Sequence, residues 1–299
     1  MYEQIARNKR RSLTLVLGAL VLAAGLGYLF GLLFAFGWFG AAVAAALVAV
    51  LSFVSYRRGD RLVLRVSGAR PAPREEYERL HNVVEGLCIA AGIPKPEVYV
   101  VPEKAPNAFA TGRDPEHASI AVTEGLLEQL NRVELEGVVA HELAHVRNRD
   151  ILVGTLAATL AGVVVLISQW MLRAFWWGGR RRGGSKGGGS AAAVVVLVGL
   201  LAAVLAPIAA QLIRFAVSRR REFLADADGA LLTRYPPGLA NALRKIAENT
   251  EPLRAATDAT AHLWLSKPSR TAGAGWTRLE RLFSTHPPIE ERIAQLEEM

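Results

Sequence analysis

From Ser12 to Tyr56 the chain runs 45 residues without a charged side chain. A helical bilayer crossing takes roughly 20 apolar residues, so this stretch is long enough to cross twice. Gly37-Trp38-Phe39-Gly40 near its middle marks the turn, because glycine breaks helices and an aromatic pair suits the membrane interface. A cleaved signal peptide has a shorter apolar core followed by a small-residue cleavage site, so a retained hairpin over residues 1–56 is expected. Two further apolar runs, Ile151 to Leu172 and Ala191 to Ile213, flank a low-complexity Gly- and Arg-rich string at 178–190, which makes 151–213 a second hydrophobic hairpin. With 52% hydrophobic residues, the composition is that of a membrane protein.

Lysine and arginine near the span ends set orientation. Arg7, Lys9, Arg10 and Arg11 precede the first hairpin, and Arg57, Arg58, Arg61 and Arg65 follow it, so both flanks are expected in the cytoplasm. The net charge of +8 then reflects topology and anionic lipid. There is no aromatic-interleaved basic groove or DNA-binding motif, so nucleic acid is not an expected partner. For 151–213 two readings stand. Full crossing gives four spans, which the run lengths favour, but it exports Arg180, Arg181, Arg182 and Lys186 against the positive-inside tendency. The other reading is a hairpin that dips only partway.

Residues 57–150 have ordinary soluble composition. A helix is expected from about Arg74 to Ala91, ending at Gly92, followed by strand-like runs Glu97–Val101, Asn107–Thr111 and Ser119–Val122 that suit a small sheet. The single cysteine, Cys88, excludes an internal disulfide or a cysteine-based metal cluster. It falls in the helical stripe Leu80, Val83, Val84, Leu87, Cys88, Ala91, a core position. Asn131 and Glu134 form a capping-box pattern opening a helix through His145 toward Asp150. That helix carries Arg132, Glu134, Glu136, Glu142, Arg147 and Arg149, too many charges for hydrocarbon, where each costs several kcal/mol. It belongs outside the bilayer, and the apolar turn at Ile151 puts it near the surface. The expected fold is α+β and mainly helical, with catalytic parts at 57–150 and 214–299.

The string His141-Glu142-Leu143-Ala144-His145 carries the chemistry. Residues i and i+4 share a helix face, so the two imidazoles can present nitrogens to one zinc ion. Glu142, about 100° around the helix, points to the open position as a general base for peptide hydrolysis. Catalytic zinc takes three protein ligands. The spacing has no metzincin continuation, since Asn148 and Ile151 stand where a glycine and a third histidine would be. The best third ligand is Glu222, with Asp226 at i+4 as the hydrogen-bond partner of a ligand histidine. The competing reading pairs both carboxylates with Arg219, Arg220 and Arg221.

Four strings in order, Asn107–Gly112, His141–His145, Ser218–Asp226 and Thr285–Pro288, with Ile289-Glu-Glu-Arg292 and a terminal helix after them, resemble HtpX-type membrane zinc endopeptidases of bacteria, distant relatives of the CAAX prenyl endopeptidases. The resemblance covers nearly the whole chain. It implies a gluzincin-like protease domain with one Zn2+, His141, His145 and Glu222 as ligands and Glu142 as general base. It also implies the bacterial inner membrane, a cytoplasmic active site and membrane-protein quality control under stress, with polypeptides as partners.

Two residues keep two readings each. Asn107 either anchors substrate or polarises the scissile carbonyl at a cleft strand, or it is a turn residue after Pro106. His286 either donates to the transition-state oxyanion, as a late histidine does in related metallopeptidases, or it caps the last helix. His81, His117 and His262 lack partners at ligand spacing and read as surface or packing residues. Residues 250–283 read as a loop over the cleft. The rival function is a catalytically silent membrane scaffold or chaperone-like adaptor, against which the intact set of four site residues speaks.

Overall fold

A computed structural model of the chain describes residues 2–33, 38–162, 219–257, 259–266 and 287–299. Two long helices open it, α1 (Tyr2–Leu33) and α2 (Trp38–Val66), packed against each other. Among the described residues, α2 is the one helix long and apolar enough to cross a membrane, with mean hydropathy 2.1 over its most apolar 18 residues. Its outer face presents Phe39, Val43, Leu47, Val50 and Phe53 without protein cover, the surface that suits lipid. Most of the second apolar pair, and the whole Gly- and Arg-rich string, lie outside the described residues.

A four-stranded sheet follows, of order β1-β2-β4-β3, built from β1 (Arg70–Pro71), β2 (Glu97–Val101), β3 (Ala108–Gly112) and β4 (Ala118–Thr123). β2 and β4 run parallel, while β1 and β3 pair antiparallel at the two edges. The two-residue β1 has no period to betray it in sequence. Helix α3 (Glu78–Ala91) packs its predicted stripe into the core and stops at Gly92, whose φ of 66° is the left-handed cap that glycine takes without strain. It starts later than Arg74, because the amides of Glu76 and Tyr77 turn back onto the Pro73 carbonyl.

Helix α4 (Glu124–Gln129) leads into α5 (Arg132–Arg147). The capping box at the start of α5 is complete: the Glu134 amide donates to the Asn131 side chain at 3.0 Å, and the Asn131 amide donates to Glu134 at 2.9 Å. Lys245 then donates to Glu134 at 2.7 Å, tying in α8 (Pro236–Glu248).

The helix expected to reach Asp150 instead breaks after Arg147. Arg149 takes φ of 58°, a left-handed state that costs a non-glycine residue roughly 1–2 kcal/mol. A separate helix, α6 (Asp150–Gly162), begins there. Its apolar side chains Ile151, Val153, Leu156, Ala157 and Leu160 are buried in protein, several of them against Leu15 of α1.

Helices α7 (Arg219–Thr233), α8 and α9 (Ile289–Glu297) complete the described chain. The main core joins residues from both sides of the second hydrophobic segment, among them Leu80, Val84, Ile120, Leu135, Val138, Leu239, Leu243 and Leu296. That shared core brings α7 onto α5. At Gly229 of α7 an added Cβ would sit 3.0 Å from the backbone nitrogen of His141, so glycine permits a close approach of the two helices at the residue where the chemistry lies.

Candidate metal centre

His141 and Glu142 are buried on α5, one turn before half-buried His145. Both imidazoles aim Nε2 at a common point: the two nitrogens lie 3.2 Å apart, with rings nearly perpendicular. Glu222, from the first turn of α7, completes the group. Its carboxylate oxygens stand 3.9 Å from His141 Nε2 and 3.6 Å from His145 Nε2. One donor atom from each of the three residues falls within 4.8 Å of the others. Two imidazoles, neutral once an incoming ion displaces the proton of His145, and a carboxylate form the donor set that borderline divalent metals accept, so these residues fit a metal ion.

The far side of each imidazole is held by a carboxylate. His141 Nδ1 lies 2.8 Å from Asp226 Oδ1, and His145 Nδ1 donates to Asp150 Oδ2 at 3.0 Å. Donation at Nδ1 leaves the Nε2 lone pair facing the centre and fixes the ring. Asp226, expected as the hydrogen-bond partner of a ligand histidine, lies against His141. Asp150 does not announce itself, because the left-handed turn at Arg149 returns it beneath His145 instead of continuing α5.

Arg292 of α9 is the second residue that sequence reasoning did not place in the site. Fully buried, it donates from Nε and NH2 to the two oxygens of Asp226 at 2.8 and 2.7 Å, and from NH1 to the Leu265 carbonyl at 3.0 Å. Such a fork-to-fork pair fixes a carboxylate in plane and register. Position i+3 of a terminal helix gives no sequence signal of this contact. The arginines expected to compete for the carboxylates divide differently: Arg221 donates to Asp150 at 3.2 Å.

Electrostatics follow from burial and these partners. Burial pushes the Glu142 carboxyl up to about 7, with Glu222 adding to the rise and His145 opposing it. Burial alone would raise Asp226, but the charge and hydrogen bonds of Arg292 hold it down at about 2. His141 is lowered by burial, against the pull of Asp226. Burial also works against the charged form of His145, yet the hydrogen bond to Asp150 and the charge of Glu222 raise it to about 9. A buried carboxyl titrating near neutrality, as Glu142 does, can both take and give a proton.

The cleft beside these groups is lined by Ala110, Gly154, His262 and Trp264 as well as the donor set. His262, read from sequence as a packing residue, therefore faces the site, with Nε2 3.2 Å from the Gly154 carbonyl. His117, read as lacking a carboxylate, has Asp114 at 2.6 Å, far from the site on an exposed turn.

The outer edge of β3 is taken by the chain's own groups. The Leu265 amide donates to the Ala108 carbonyl at 2.8 Å, and the Gly112 amide donates to Thr155 Oγ1 at 3.1 Å. Asn107 is buried beside this edge, donating to the Ser266 carbonyl at 2.8 Å and accepting from the Ser266 amide at 3.2 Å. Residues 259–266 thus lie over the cleft, with Trp264 edge-on to Phe109 at 4.6 Å. His286 lies outside the described residues.

Comparison with known proteins agrees with this geometry. Residues 74–299 match the model of peptidase family M48. Proteins named protease HtpX homolog align along the full chain. The one from Thermoanaerobacter pseudethanolicus is 45% identical over 100% of this chain and 98% of its own length. The one from Tropheryma whipplei is 48% identical over the same shares, and the one from Lactobacillus helveticus is 42% identical over 100% of both. The crystal structure of S. mikatae Ste24p shares the fold, with a TM-score of 0.52 and 17% identity, covering 99% of this chain and 67% of that one. The matched family model and the full-length relatives place the chain in peptidase family M48, as a metallopeptidase acting on polypeptides.

Proposed function

We propose that this peptidase is a membrane-bound zinc endopeptidase that cuts misfolded or damaged membrane proteins at the cytoplasmic face of a bacterial inner membrane. The observation that carries the reading is the convergence of His141, His145 and Glu222 on one point with Glu142 beside them in the same cleft. His141, His145 and Glu222 would hold the zinc. When bound, zinc supplies Lewis-acid polarisation and lowers the pKa of water.

The other work belongs to side chains. Glu142 takes the proton of the attacking water and passes it to the leaving amine, a task that suits a carboxyl with a pKa of about 7. Asp226, backed by Arg292, and Asp150 keep the imidazoles in the binding tautomer. A substrate strand adding to β3 takes the place of Leu265 at the Ala108 carbonyl; Asn107, freed from Ser266 by the same displacement, anchors it, and His286 donates to the oxyanion.

The apolar face of α2, the uncharged run before it and the second apolar pair support two membrane hairpins with four spans. Residues 57–150 and 214–299 then form the catalytic domain against the membrane surface. The basic residues flanking the first hairpin support the cytoplasmic orientation.

The test is the metal content and casein cleavage of Glu222→Ala beside wild type. Wild type is expected to hold about one zinc per chain and to cleave, whereas Glu222→Ala loses both. Undiminished zinc and cleavage in the variant would overturn the assignment.

A further inference from the structure

We propose that Asn8, on the amino-terminal helix, is a positioning residue of the metal site, so that α1 helps to assemble the catalytic centre. Asn8 is 2% exposed, although asparagine is a poor residue for a helix interior and its amide is costly to bury without partners. Its Nδ2 group has two hydrogens and two acceptors. It donates to Asp150 Oδ1 at 2.7 Å and to the Asn148 carbonyl at 2.8 Å.

Those acceptors lie on the two sides of the broken joint between α5 and α6. Asn148 is the C-cap of α5, whose carbonyl has no partner within the helix, and Asp150 opens α6. Asn8 therefore bridges the left-handed turn at Arg149. The same Asp150 carboxylate accepts from Arg221 through Oδ1 at 3.2 Å and from His145 through Oδ2 at 3.0 Å. Among the described residues, Arg221 is the other side-chain donor to Asp150 Oδ1, so Asn8 shares with it the setting of the carboxylate against which the His145 ring is registered.

The contact is built into one face of α1. Asn8, Ser12 and Leu15 are buried at helical spacing, and Leu15 packs on Leu152, Val153 and Leu156 of α6. Leu15 contributes only apolar packing to that face, whereas Asn8 reaches the carboxylate behind His145. This separates positioning from general stability.

The inference rests on His145 being a metal ligand, and the experiment separates the two. Full-length Asn8→Ala, Asn8→Gln, Leu15→Ala and wild type are loaded with zinc for chelator competition and with cobalt for visible spectroscopy, and peptide cleavage is split into kcat and KM. Asn8→Ala is expected to weaken zinc binding by up to about tenfold, the low end of what loss of a direct partner of a ligand costs, because Asn8 acts on the ligand through Asp150. It should also alter the cobalt d–d bands and lower kcat at nearly constant KM. Asn8→Gln, which keeps the amide, should recover part of each effect. Leu15→Ala should lower Tm while leaving zinc affinity and cobalt bands as in wild type. If Asn8→Ala does not fold, Asn8→Ser reports the same readouts. Unchanged zinc affinity and spectrum in the Asn8 variants, or equal changes in Leu15→Ala, would overturn the proposal. Failure of wild type itself to bind zinc would instead overturn the reading of the metal centre.

Discussion

Arg292, in the last helix of the chain, grips both oxygens of Asp226, the carboxylate that holds Nδ1 of His141. The arginine also reaches the site directly, with NH2 3.4 Å from His141 Nδ1 and NH1 4.0 Å from the Glu222 carboxylate, and both members of the Asp226–Arg292 ion pair are almost wholly buried. Arg292→Met removes one charge and strands the other. The expected loss is about 3–5 kcal/mol of unfolding free energy, the cost of breaking a buried pair from one side. Arg292→Lys should rescue only part of it, because an ammonium cannot make the two-pronged contact. Denaturant or thermal unfolding in detergent checks both.

The same pair sets an acid limit. Asp226 is held at about 2, below the unfolded value of about 3.9. Its contribution to stability is therefore fully present above the unfolded pKa and lost as pH falls through the folded one. Asp226→Asn should flatten the fall in wild-type stability between about pH 4 and pH 2, read from unfolding curves of metal-free protein.

Metal affinity should depend on pH through His145. Its pKa of about 9 means that the metal-free site carries a proton at neutrality, which an incoming ion must displace. Affinity should tighten by about tenfold per pH unit between pH 6 and 8, with about one proton released. Calorimetry in buffers of different ionisation enthalpy measures that proton directly, and a pH-independent affinity would contradict it.

Close approach at Gly229 gives a steric test. A Cβ there would meet the backbone nitrogen and Cα of His141 at 3.0 and 3.2 Å, so Gly229→Val pushes α7 off α5 and carries Glu222 away from the histidines. Zinc content of the purified variant should fall well below one per chain, with the α-helical circular dichroism largely kept.

Much of this site was legible because local pattern and chemistry coincided. The i, i+4 histidines and the i, i+4 pair Glu222 and Asp226 each need only a helix to define a face, and the capping box at Asn131 and Glu134 announced one of those helices. Asp150 and Arg292 were not legible. Asp150 depends on a left-handed turn at Arg149, a residue with no preference for that conformation, and Arg292 depends on how a terminal helix docks across the core. The sheet showed the same division. β2, β3 and β4 came within a residue or two from their apolar runs, whereas β1 is held by pairing alone. His262, expected at the surface or in packing, is buried and also lines the cleft, a placement that comes from tertiary packing, which spacing does not encode.

Glu142→Gln separates a metal held by three side chains from the neighbouring carboxyl that moves the proton. Zinc per chain and peptide cleavage are measured on the same samples of variant and wild type. Both proteins are expected to hold about one zinc, with a loss of kcat of at least about 100-fold in the variant. Cleavage by Glu142→Gln at the wild-type rate, with zinc retained, would contradict that role of the carboxyl.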